Sequence, residues 1–279
     1  RIRSLDILNL FRKRGAERLT STANLPSLSW RSSILEGLEP RGLLARDVFL
    51  DAQNSSNGQY VVEIVGTDVR VRTNDGANIT LLQQDVGVVK ASGGLNVVGR
   101  LSADDILIVD DSYTEQGVNT IFDGSGGPFG DQLIVHTGVA GSGGIHNIDV
   151  DFQDNPISPG DPFAGTITLS TPTLTSTISF SDVERTFGNV HPLELHGTPN
   201  TIQFRLTASD DNARLERDTT TGMLRLDNRA TTFADTLFGV PNNSIAIRGE
   251  AGADVIEVDM AGAASAGFAG ALSLEGGAG

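Results

Sequence analysis

Two short stretches hold residues able to bind a hard cation. Gly249-Glu250-Ala251-Gly252-Ala253-Asp254 places two glycines and an aspartate in one turn, directly before the apolar pair Val255-Ile256. Gly126-Gly127-Pro128-Phe129-Gly130-Asp131 is a looser version that ends on the pair Gly130-Asp131. Glycine accepts backbone conformations that other residues avoid, so such a turn can curl its carbonyls inward. Aspartate adds an anionic oxygen, and calcium takes about six to eight oxygen ligands. Gly249, Gly252, Asp254, Gly130 and Asp131 are therefore the expected metal residues, with calcium as the expected cofactor. The competing explanation is that Asp254 and Asp131 cap their turns through side-chain hydrogen bonds. Asp104-Asp105, followed by Ile106-Leu107, has the aspartate and the strand but lacks the glycines.

Other chemistry is thinly supplied. The histidines are His136, His146, His191 and His196; on a strand, His191 and His196 would face opposite sides. No His-x-x-x-His helix pattern and no G-x-S-x-G elbow occurs. Asp104-Asp105, Asp110-Asp111 and Asp210-Asp211 read as solvated carboxylates at turns and strand ends rather than as a glycosidase pair. Aromatic residues make up 5% of the chain, too few for a sugar-stacking platform. Arg205 and Arg225 alternate outward on strands, but nothing marks either as a catalytic base. The expectation is a chain that is not an enzyme.

The elements that would position these turns are strands. Leu193 and Leu195 alternate with Glu194 and His196; Ile202, Phe204 and Leu206 alternate with Gln203 and Arg205. Ile245 and Ile247 alternate with Ala246 and Arg248, and Leu272 and Leu274 with Ser273 and Glu275. Period-two patterns give one buried and one solvated face. Marker glycines follow several such runs: Gly99, Gly124, Gly197, Gly249 and Gly276, spaced 25, 73, 52 and 27 residues apart. These spacings fit multiples of a period of about 25, and Gly222 fills one gap. The expected fold is all-β: a β-solenoid or β-helix-like stack of strand repeats over 51–279, with little helix, behind a short helical or disordered leader. β-Sandwich packing around 51–180 is the alternative.

Charge divides the chain in the same place. Of the total −15, residues 1–46 hold nine basic and four acidic residues, a net +5, which leaves −20 on 47–279. An acidic body is repelled by nucleic acid and anionic lipid, and it attracts cations. No nucleic-acid partner is expected. No apolar run approaches the roughly 18 residues that cross a bilayer, so no transmembrane span is expected either. The absence of cysteine removes disulfides, thiolate metal sites and a thiol nucleophile together. Stacking or bound metal would have to replace disulfide staples.

Leu38-Glu39-Pro40-Arg41-Gly42-Leu43-Leu44-Ala45 resembles the LEPR-XLL segment found near the start of very large bacterial surface proteins. Leu38, Glu39, Pro40, Arg41, Leu43, Leu44 and Ala45 match its defining positions. The resemblance implies that 1–50 is a basic export or sorting leader and that the protein is extracellular or at the cell surface. Gly249 to Glu257 resembles the hemolysin-type, RTX calcium-binding nonapeptide, with Glu250 in place of its second glycine. Gly276-Gly277-Ala278-Gly279 begins another copy, so the region reads as truncated at its C-terminus. In RTX proteins a complete site draws on two stacked turns. Together these readings describe an N-terminal fragment of a large secreted, adhesin-like repeat protein, stiffened by calcium and facing cell-surface or matrix ligands. A β-helix polysaccharide lyase or hydrolase is the alternative.

Overall fold

The computed structural model describes residues 46–50, 58–100, 104–125, 130–140, 144–153, 162–184, 191–260 and 268–277. The chain divides into two units, Arg1–Arg41 and Gly42–Gly279, and every described residue belongs to the second. The sorting motif Leu38 to Ala45 lies outside the described residues.

The described body is built of β-strands. In chain order they are β1 (Arg46–Phe49), β2 (Gln59–Val65), β3 (Asp68–Thr73) and β4 (Thr80–Asp85), then helix α1 (Val86–Ala91). β5 (Leu95–Val98), β6 (Ile106–Val109), helix α2 (Asp111–Thr114), β7 (Thr120–Asp123) and β8 (Gln132–Val139) follow. Next come β9 (Asn147–Phe152), β10 (Phe163–Ser170), β11 (Thr175–Val183), β12 (Leu193–Thr198) and β13 (Thr201–Arg205). The last are β14 (Asn212–Arg217), β15 (Leu224–Asn228), β16 (Thr236–Phe238), β17 (Ser244–Arg248), β18 (Val255–Asp259) and β19 (Ala271–Glu275). The all-β expectation holds, and the two helices are short.

The strands form two sheets. Sheet A has nine, in the order β1-β5-β7-β11-β10-β9-β13-β17-β19. Sheet B has ten, in the order β18-β14-β15-β16-β12-β8-β6-β2-β3-β4. Three antiparallel meanders, β2-β3-β4, β9-β10-β11 and β14-β15-β16, are inserted, and every other neighbouring pair is parallel. Leaving the meanders aside, the chain alternates between the sheets: β5 to β6, β7 to β8, β13 to β14, β17 to β18.

Local chemistry places the meander turns. Thr171 Oγ1 accepts from Leu174 N–H at 2.9 Å between β10 and β11. Asp218 Oδ1 accepts from Thr220 N–H at 2.9 Å, and Gly222 sits at φ +75° to close the β14–β15 hairpin. That last position corrects the repeat reading. Gly222 serves a hairpin, and the strand after it, β15, runs against its neighbours in sheet B. Leu193–Gly197 is also displaced from the expected repeat: β12 lies in sheet B, whereas the other four marker runs lie in sheet A. Equivalent residues are 25 apart from Leu95 to Thr120 and 27 apart from Ser244 to Ala271. In sheet B, Ile106 and Gln132 are 26 apart, and where a meander intervenes the interval is longer, as from Thr201 to Ser244.

One core lies between the sheets. Its cluster takes Val97, Phe122, Ile167 and Phe204 from sheet A, and Val62, Leu107, Leu133 and Leu226 from sheet B. Phe204 stacks on Phe152 with ring centroids 6.3 Å apart and meets Phe238 of the other sheet at 5.0 Å. Burial alternates in and out along β10, β12, β13 and β17, the pattern expected of strands with one covered face.

Candidate functional site: the acidic turns between the sheets

At four of the crossings from sheet A to sheet B, the turn ends on an aspartate immediately before the sheet B strand. Asp105 precedes β6, Asp131 precedes β8, Asp211 precedes β14 and Asp254 precedes β18. Stacking brings each turn against the next, and the carboxylates accept hydrogen bonds from the neighbouring backbone. Asp105 N–H donates to Asp131 Oδ1 at 2.7 Å, and Gly130 N–H donates back to Asp104 Oδ1 at 3.1 Å. The same exchange recurs between the later turns. Asp211 N–H donates to Asp254 Oδ1 at 3.1 Å, and Ala253 N–H donates to Asp210 Oδ1 at 2.8 Å. A hydrogen bond contributes roughly 0.5–1.5 kcal/mol to a neutral acceptor and roughly 1.5–3 kcal/mol to a charged one, so these exchanges hold paired turns in step.

The aspartates also fold their own turns. Arg100 N–H and Nε donate to the two Asp105 oxygens at 2.5 and 2.7 Å, and Thr207 N–H donates to Asp211 Oδ2 at 2.9 Å. Of the acidic pairs expected to be solvated, Asp104, Asp111 and Asp210 are exposed, but Asp105 and Asp211 are not. Asp105, Asp131 and Asp211 are 0%, 1% and 1% exposed. Donors within the turn replace the lost water at Asp105 and Asp211, whereas at Asp131 the donor is Asp105 N–H of the adjacent turn, a neighbour 26 residues away that no local sequence pattern reports.

Burial has an electrostatic cost. It pushes the carboxyls of Asp105 and Asp211 above the usual carboxylate range. Asp131 is the extreme case. Its carboxyl is pushed up to about 8, first by burial and then by the charges of Glu184 and Asp105. Glu184, pushed up to about 7 chiefly by burial, accepts from Asp131 N–H at 3.1 Å and shares a side-chain hydrogen bond with Asp131.

The glycines belong to the same construction. A Cβ on Gly249 would overlap Asp254 Oδ2, and one on Gly124 would lie 2.7 Å from Asp131 Oδ2. Gly252 takes φ +96°. Thus Gly249, Gly252 and Asp254 do share one turn, and Gly130 and Asp131 share another. The two turns are five strand spacings apart along sheet B, about 24 Å, too far to hold a single ion. Asp254 Oδ2 is buried without a hydrogen-bond partner, whereas Oδ1 is taken by Asp211 N–H. Among the described residues no group of three or more His, Asp or Glu side chains is arranged to hold a metal ion.

Two functional-looking residues escape the sequence reading. Glu184 carries no local signature. Asp235, just before β16, accepts from Asn228 N–H at 3.0 Å and from Arg225 at 2.6 Å, and His191 Nδ1 lies 3.9 Å away. Its signal is present in the chain: Ala234-Asp235 before a strand repeats Ala253-Asp254 and Ala103-Asp104-Asp105.

The basic residues on the strands are engaged. Arg205 reaches Asp149 at 2.7 Å, and Arg225 bonds Asp227 at 2.8 Å as well as Asp235. His136 and His196 stack at 5.1 Å, and His196 Nε2 lies 2.7 Å from Glu194. Burial, then the neighbouring His196, lowers the His136 pKa. Two shallow clefts, of about 310 and 370 Å³, lie beside Asn119 and Thr177 and beside Asp151 and Arg205. Neither opens onto an unpaired acid–base pair. No described helix is long and apolar enough to cross a membrane. The chain matches no known family model, no curated protein and no solved structure.

Proposed function

We propose that this chain is a non-catalytic structural module of a large secreted or cell-surface, adhesin-like repeat protein, with its body stacked as a β-solenoid. The observation that carries this reading is the use made of the acidic turns. The side chains most able to do chemistry are spent on the backbone of the adjacent turn, so their work is to keep strands in register. Alternation of the chain between two largely parallel sheets supports the solenoid description. The residues before β1 act as the export leader, and the ligands are cell-surface or matrix components.

A reporter fused behind residues 1–50 should reach the cell exterior, and loss of Leu38 to Ala45 should abolish delivery. The alternative, a polysaccharide-degrading β-helix enzyme, is tested by incubating the chain with acidic polysaccharides. Formation of unsaturated uronates or new reducing ends would refute the non-catalytic reading.

Calcium binding at the Asp254 turn is part of the proposal. It is supported by the buried, unpartnered Asp254 Oδ2 beside Gly249. Millimolar Ca²⁺ should raise the melting temperature more than equal Mg²⁺, which dehydrates reluctantly and demands stricter geometry. Asp254→Ala should remove the difference. Equal shifts from the two ions would reduce the effect to screening.

A further inference from the structure

One row on the outer face of sheet B is made of side chains that bind transition metals. His196 of β12 stands beside His136 of β8 in parallel register, and the pairing of Val109 with Val135 puts Asp110 on the other flank of His136. Adjacent strands lie roughly 4.8 Å apart, and the two imidazole rings stack with centroids 5.1 Å apart and planes 18° from parallel. The backbone fixes this approach. A bulge follows His196, where Gly197 takes φ +130° and leaves no room for a Cβ against Thr137 and Gly138. Thr137 Oγ1 donates to the His196 carbonyl at 2.9 Å, and Thr114 Oγ1 of α2 donates to the His136 carbonyl at 3.0 Å.

Glu194 sorts the ring nitrogens. Its Oε2 lies 2.7 Å from His196 Nε2, and its Oε1 accepts from Gln132 Nε2 at 2.9 Å. A carboxylate only accepts, so Nε2 carries the proton of the neutral His196 ring and Nδ1 keeps its lone pair. Among the described residues, neither His196 Nδ1 nor either ring nitrogen of His136 has a hydrogen-bond partner. Metal-binding histidines are held in this way: the second nitrogen donates to a carboxylate, and the carboxylate is itself hydrogen-bonded. His136, held below the usual histidine range first by burial and then by His196, is neutral at neutral pH, the form that ligates.

We propose that His136 and His196 Nδ1 together bind one divalent transition-metal ion, zinc or copper, which clips β8 to β12, with water filling its remaining positions. Two nitrogens on one tetrahedral zinc, each at roughly 2.0–2.1 Å, lie roughly 3.3 Å apart. Tilting the stacked rings so that their facing edges approach meets that spacing. His196 is 37% exposed at its side chain, which leaves a path for the ion. Asp110, Asp111 and Glu194 surround His136 with negative charge that draws a cation toward it. Imidazole favours zinc, copper and nickel, whereas calcium and magnesium favour oxygen, so this site differs in place and in chemistry from the aspartate turns. With no cysteine in the chain, metal ligation offers these strands a cross-link that a disulfide cannot.

Isothermal titration of the 279-residue chain with ZnCl2 at neutral pH, in millimolar CaCl2 to occupy the acidic turns, should show zinc binding. His136→Ala and His196→Ala should each weaken it at least about tenfold, and His146→Ala should leave it unchanged. Both substituted rings are partly exposed, and circular dichroism checks that each variant keeps its strands. A second readout needs no substitution. Electron paramagnetic resonance of the natural chain with one equivalent of Cu²⁺ should show coupling to two imidazole nitrogens. Absence of zinc binding, binding that survives the loss of both His136 and His196, or copper coupled to fewer than two imidazoles would each overturn the proposal.

Discussion

Asp131→Asn should make the body more stable at neutral pH and less sensitive to pH. Asp131 is 1% exposed, and its carboxyl is pushed from 3.8 to about 8 by burial and by its acidic neighbours. Between those values the folded chain holds a proton that the unfolded chain releases. Stability is therefore fully present below pH ~4 and is lost as pH rises through about 8. Each pH unit within the window costs at most about 1.4 kcal/mol, so the step from pH 5 to pH 7 removes up to ~3 kcal/mol. For a domain of this size that lowers the melting temperature by roughly 6–12 °C. The substituted side chain would keep an oxygen for Asp105 N–H and present an amide to Glu184, without a charge to neutralise. Differential scanning calorimetry at pH 5, 7 and 8 should show a falling melting temperature in the natural chain and a much flatter profile in Asp131→Asn. Glu250→Gln, which removes an equal charge at an exposed position, is the control for general self-repulsion. A natural profile that rises from pH 5 to 8, or a slope that Glu250→Gln flattens as much as Asp131→Asn, would refute the reasoning.

Three further outcomes follow from the geometry. Gly249→Ala should destabilise by roughly 1–3 kcal/mol, because its methyl would overlap Asp254 Oδ2 and crowd Gly277; a melt within error of the natural chain would show that the turn relaxes freely. Phe204→Ala removes a ring lying between Phe152 and Phe238 and should cost about 3–5 kcal/mol in chemical denaturation. Circular dichroism of the whole chain should be dominated by strand, and a strongly helical spectrum would contradict the fold.

The strand faces are legible in the sequence because alternation is a local property. The in–out pattern of Ile202 to Leu206 and of Ile245 to Arg248 needs only the pleat to be read. The order of strands is not legible. Gly222 sits at a spacing that fits a repeat, yet it closes a hairpin; a turn glycine looks the same in sequence whether the chain returns within a sheet or crosses to the other. The aspartate turns are recognisable at Asp131 and Asp254, but the burial of Asp131 is not, since the donor that replaces water, Asp105 N–H, comes from a neighbouring turn. Glu184 can be found only through contact, because it meets Asp131 across 53 residues.

The three meanders impose a parity rule on this chain. Each adds two strands to a sheet, one running back and one running forward, so the chain leaves in the direction in which it entered. A single added strand would reverse the polarity of everything after it and turn the parallel ladders antiparallel. Insertions at these sites are therefore tolerated in even numbers of strands and rejected in odd ones. Such a molecule can change its length and decoration by whole hairpins while every later strand keeps its direction.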